Sequence, residues 1–141
     1  MSKFAAFMAG NVEKVENKKI VISNRFKDEN GKPQEWEIKV IPAAENEELQ
    51  RRCMVNVPVP GQRNVYSREL DRNKYAAALA AACVVYPDLN NAELQDSYGV
   101  KGADALLLAM LYNGEYNKLF QAVTAMNNFE TLGEQVQAAK N

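Results

Sequence analysis

The sequence predicts an α+β fold, with an N-terminal antiparallel β-hairpin or small sheet followed by a mainly α-helical C-terminal part. Three observations carry this expectation. "EWEIKVI" alternates cleanly, with Trp36, Ile38 and Val40 on one face and Glu35, Glu37 and Lys39 on the other, the pattern of a strand buried on one side. "RNKYAAALAAACVVY", rich in alanine and opened by Asp71, reads as a helix with its cap in place. Charge divides where the two patterns meet: residues 1–75 carry 14 Lys and Arg against 11 Asp and Glu, and residues 76–141 carry 3 against 7. At 141 residues, 47% hydrophobic and 25% charged, the chain suits one domain, 1–141, strand-rich over 17–70 and helical over 71–141.

Each element follows from local chemistry. Phe4, Phe7 and Met8 recur at helical spacing and predict a short docking helix ahead of a charged linker. "KKIVISNRF" is β-branched, and with "EWEIKVI" it predicts a hairpin turning at Asn30-Gly31. Pro42 stops the second strand, and "AENEELQRRCM" then starts a helix, acidic first and basic later, with Leu49 and Cys53 facing inward. "VNVPVPGQRNVYSRELD" holds Pro58, Pro60 and Gly61, and reads as a mobile loop with a short edge strand at 64–68. The alanine-rich helix runs from its Asp71 cap and ends before Pro87. Three helices follow, at 92–98, 103–112 and 116–126, with a shorter one after Thr131 and glycines at 99, 102, 114 and 133 as punctuation.

Composition excludes several chemistries. The chain has no histidine, which removes a Ser-His-Asp or Cys-His nucleophile, a His-ligated zinc and a histidine general base. Cys53 and Cys83 lie far apart without a CxxC partner and read as packed, reduced thiols. No run approaches the ~20 apolar residues of a membrane span, and no signal-peptide pattern is legible. The most polar stretch, "YPDLNNAELQDSYGV", fails as a calcium loop. Asp88 and Asn90 suit its first and third positions, but Ala92 falls at the fifth, Glu93 replaces the required glycine and Gly99 the closing glutamate. Glu93 and Asp96 share a helical face without any surrounding catalytic signature. Catalytic, cofactor-binding and metal-binding residues are therefore all predicted to be none.

Gly99-Val100-Lys101-Gly102 between two helices has the form of a KH-type nucleic-acid clamp, yet Asp96 and Asp104 bracket its single lysine. A helix joint is the stronger reading: Asn90 caps the following helix, with Glu93 three residues on, and Gly99 ends it. No nucleic acid and no membrane are expected as partners. The unusual feature comes after the joint. Leu106, Leu107, Leu108, Met110 and Leu111 cover most of one helix, and Tyr116, Leu119, Phe120, Val123 and Met126 form a broad face on the next. Leu107, Leu111, Tyr116 and Phe120 are the candidate partner-binding residues, part of a groove for an amphipathic helix, with Met110 and Met126 as adaptable contacts.

The stretch "NKYAAALAAACVVYPDLNNAELQDSYGVKGADALLLAMLYNGEYNKL", with the earlier "EWEIKVI", "ENEELQRRC" and the terminal "VQAAKN", resembles the XkdN-like tail assembly chaperones of long-tailed phages and defective prophages of Gram-positive bacteria. The resemblance spans almost the whole chain, and its most specific part is "VVYPDLNNAELQDSYGVKGA". It implies a non-enzymatic chaperone of the host bacterial cytoplasm. Such a protein would bind the tape measure protein, promote polymerisation of tail tube subunits around it, and be absent from the finished particle. The implied alternative is a structural tail or head-tail joining protein retained in the virion. It also implies a frameshifted longer form of the same chain as a partner. Ala139-Lys140-Asn141 can be encoded by a run of adenines on which a ribosome could slip back one nucleotide.

Overall fold

A computed structural model describes residues 3–128. The fold is α+β. Strands β1 (Lys18–Ile20), β2 (Trp36–Ile38) and β5 (Val84–Tyr86) form an antiparallel sheet in the order β1-β2-β5. Strands β3 (Met54–Pro58) and β4 (Tyr66–Leu70) form a separate hairpin. Five helices complete the described residues: α1 (Ala43–Arg52), α2 (Arg72–Cys83), α3 (Ala92–Ser97), α4 (Ala103–Met110) and α5 (Asn113–Met126).

The predicted first hairpin is present in shortened form, with Ile20 opposite Trp36 and Lys18 opposite Ile38. Trp36 and Ile38 are buried as their alternation requires, while Val40 lies past the strand and is half-buried. The tip is organised by Asp28, whose carboxylate accepts from the amides of Asn30 (2.8 Å) and Lys32 (3.0 Å), while Gly31 takes φ +79°. Between tip and strands the two arms diverge: Ile22 enters the core and Arg25 reaches toward α5. The predicted N-terminal helix is a single 3-10 turn, Ala5–Phe7, with no buried residue.

The stretch read as a mobile loop is instead the β3–β4 hairpin, paired from Met54–Leu70 to Pro58–Tyr66. Pro58 is tolerated because its pair with Tyr66 is a non-hydrogen-bonded one: the next bond is made by the Val59 amide to the Val65 carbonyl at 2.9 Å, and the missing N–H would face away from β4. Pro60 and Gly61 fall in the connection, where Gly61 has φ +77° and the Gln62 amide closes a turn on the Val59 carbonyl at 3.2 Å. α1 buries Leu49 and Cys53 as expected.

Asp71 caps α2 through the Lys74 amide at 3.1 Å. The helix ends at Cys83, earlier than its alanine pattern suggests. β-branched Val84 and Val85, with Tyr86, turn extended and pair with β2. α2 is the hub of the core, packed against α1, α4, α5 and β5. The cap of α3 is Asn91 rather than Asn90: Asn91 Oδ1 accepts from the Leu94 amide at 2.8 Å, and Asp88 turns the chain one step earlier by accepting from the Asn90 amide. Gln95 clamps the joint to α4, donating to the Leu89 carbonyl (2.8 Å) and accepting from the Gly102 amide (3.1 Å). Gly99 and Gly102 supply positive φ there, +67° and +98°. α4 stops at Met110, and α5 begins at Asn113, so Gly114 lies in its first turn and not between helices. The helix expected after Thr131 lies outside the described residues.

Candidate partner-binding surface

The structure divides the four candidate residues. Leu107 is fully buried and Leu111 is 7% exposed, because α4 turns that side onto α2. Both pack in the core and present almost no surface in this structure. Tyr116 and Phe120 sit one turn apart on α5, half-buried, with rings stacked 6.3 Å apart. Burial pushes the Tyr116 hydroxyl pKa up, aided by the charge of Asp104. Met110 is also buried and Met126 half-buried. The exposed member of the α4 apolar run is Leu108, 55% accessible, with Tyr112 at 70% in the extended joint to α5.

Arg25 organises the surface beside them. Its guanidinium donates to both carboxylate oxygens of Glu115 and to the Met110 carbonyl (2.9 Å), and it stacks 4.2 Å from the centre of the Tyr112 ring and 4.9 Å from that of Phe26. Hydrogen bonding from Arg25 holds the Glu115 carboxyl down at about 2. Glu115 also accepts from the Tyr112 amide at 2.8 Å, closing the N-terminus of α5. Arg25 had no signal in the sequence: a lone arginine in a loop gives no hint of a partner far along the chain.

Adjacent to this cluster, Phe26, Trp36, Tyr86, Pro87, Leu94 and Met110 line an apolar groove of about 120 Å³, rimmed by Gln34 and Glu35. A wider polar cleft of about 490 Å³ lies between α2 and the start of α4, floored by alanines and carrying Arg52, Lys101 and Asp104. Among the described residues, no group of three or more Cys, Asp and Glu side chains is placed to hold a metal ion. Cys53 and Cys83 are free and buried, and desolvation raises the Cys83 thiol to about 11 despite a hydrogen bond from Asn127. Among the same residues, no helix is long and apolar enough to cross a membrane.

The model of the family described as "Phage XkdN-like tail assembly chaperone protein" matches residues 4–140. The chain belongs to this family. Among curated relatives of this chaperone family, the phage-like element PBSX protein XkdN of Bacillus subtilis (strain 168) is 30% identical over 139 residues, covering 96% of this chain and 91% of its own. The protein YqbN of the same organism is 28% identical over 137 residues, with the same coverage of 96% and 91%. The crystal structure of YqbN superposes with a TM-score of 0.76 at 24% identity, covering 92% of this chain and 99% of that one, which shows the shared fold.

Proposed function

We propose that this chaperone binds the tape measure protein in the host cytoplasm, keeps it soluble, and promotes assembly of tail tube subunits around it. The observation that carries the reading is membership of the tail assembly chaperone family over residues 4–140. The surface is suited to the task. A tape measure is a long helical chain with apolar stripes that stay exposed until the tube encloses them, so an unprotected copy aggregates. Holding it requires accessible apolar area and release, and no catalysis. Leu108 on α4, Tyr112 in the joint, and Tyr116 and Phe120 one turn apart on α5 supply exposed and half-buried apolar side chains. An amphipathic helix laid there would set its apolar face against them.

Co-expression with the tape measure gene tests the reading. The expected result is a soluble tape measure that co-purifies with the chaperone, and an insoluble one without it. Mass spectrometry of purified particles supplies the second arm, since a stoichiometric amount of this chain in finished particles would replace the chaperone role with a structural one. A longer frameshifted product sharing this domain belongs to the same reading, and the codons for Ala139 and Lys140 test it directly.

A further inference from the structure

Residues 4–12 form an ordered apolar knob. The Phe7 amide donates to the Phe4 carbonyl (2.9 Å), Asn11 and Val12 amides to the Met8 carbonyl (2.9 and 3.1 Å), and the Asn11 side chain to the Ala5 carbonyl (2.9 Å). These bonds fix the turn, yet Phe7 is 81% exposed and Met8 is more than half exposed. An apolar side chain held in place while its own chain leaves it in water is the usual mark of an interaction site.

The same chain carries a matching hole. The groove between Phe26, Trp36, Tyr86, Pro87, Leu94 and Met110 has a volume on the order of one large apolar side chain, about 120 Å³. Its walls are aromatic and aliphatic, and an inserted phenylalanine ring would meet Phe26 and Trp36, already an aromatic pair with centroids 5.9 Å apart. Charge agrees as well. Lys3 is the only charged side chain from residue 3 to residue 12, and Glu35 stands exposed on the rim; among the described residues neither forms an ion pair.

Strand direction sets where the N-terminal segment leaves the sheet. β1 enters the sheet at Lys18, opposite Ile38, and runs toward Ile20, opposite Trp36. The residue before it therefore leaves at the Ile38 end, and the Asn17 side chain donates back to Glu37 at 2.9 Å. The groove opens at the other end, beside Trp36 and Pro87. The knob leaves its own hole unfilled, since Phe7 stays 81% exposed.

We infer that the chain self-associates by reciprocal exchange, the knob at residues 4–12 of each copy docking in the groove of a second copy with Phe7 inserted and Lys3 against Glu35. One knob and one groove per chain allow a closed twofold pair in which both are satisfied. The inference does not depend on tape measure binding and is tested without it.

The test uses the whole chain. Sedimentation equilibrium is expected to show a dimer whose dissociation constant rises by about tenfold or more in Phe7→Asp, the loss of an interface anchor. Because Phe7 is exposed, the thermal transition of the dissociated variant is expected to match that of dissociated wild type. Disulfide trapping gives the second arm: Phe7→Cys and Glu35→Cys, prepared separately and mixed under oxidation, are expected to yield a cross-linked pair, while buried Cys53 and Cys83 stay unreactive. A monomer at all concentrations, a dimer indifferent to Phe7→Asp, or a cross-link formed only within one chain of the Phe7→Cys/Glu35→Cys double variant would overturn it.

Discussion

Arg25 and Glu115 stand 90 residues apart in the chain and meet in a two-bonded ion pair, Nε to Oε2 at 2.9 Å and Nη2 to Oε1 at 2.5 Å. The pair ties the loop after β1 to the first turn of α5. The Glu115 carboxyl is held at about 2, below its ordinary 4.5, chiefly by the Arg25 hydrogen bonds. A depressed carboxylate contributes stability above its unfolded value and loses it as pH falls through the folded one. Wild type is therefore expected to exceed Glu115→Gln in urea midpoint by a constant margin above pH ~5, with the gap closing as pH falls from about 4.5 toward 2. Parallel midpoints across that window would show the pair to be inconsequential.

The cap of α3 distinguishes two adjacent asparagines. Asn91→Ala removes the acceptor for the Leu94 amide and is expected to lower stability by about 1 kcal/mol in chemical denaturation. Asn90→Ala leaves that bond in place, and its effect should stay within about 0.5 kcal/mol. The reverse ranking would move the cap back to Asn90.

Two neighbouring leucines should fail differently. Leu107→Ala opens a cavity in the core and is expected to cost about 2–5 kcal/mol of stability. Leu108→Asp changes an exposed side chain, so its thermal transition should stay near wild type while tape measure solubilisation falls. Measuring melting and co-purification on both variants separates the roles, and intact solubilisation by Leu108→Asp would remove that residue from the binding surface.

Brief trypsin digestion should cut first after Arg63, exposed in the connection between β3 and β4. Arg68 is equally basic and also exposed but lies within the ladder opposite Asn56, and is expected to be spared until later. Equal cleavage at both sites, read by mass spectrometry, would mean the hairpin opens readily.

The sequence pattern located most elements where a local rule acts alone. Asp71 is a cap because its carboxylate reaches the Lys74 amide, and Trp36 and Ile38 are buried because alternation on a strand admits one inward face. Of the β3–β4 hairpin only the edge strand near β4 was legible; β3 was not, because a proline ends helices and central strands yet fits a non-hydrogen-bonded position of a two-stranded ribbon. β5 was hidden behind an alanine run that would extend the helix, until pairing with β2 captures Val84 to Tyr86. The phase of α4 was illegible for a related reason: in a helix apolar nearly all round, the sequence does not say which side faces inward, and only packing on α2 separates buried Leu107 from exposed Leu108. Arg25 and the groove beside Trp36 depend wholly on tertiary contacts.

The hub helix α2 buries Ala77, Ala78, Ala80 and Ala81. Alanine has no rotamers to lose, so ordering these side chains carries no entropic penalty, where longer side chains give up as much as ~1.5–2 kcal/mol each. Beside them the helix buries only Leu79 and Cys83, so most of its inward face has no rotamer with which to absorb a displacement. A push on α1, α4 or α5 is therefore passed along α2 largely as the shift of a rigid rod.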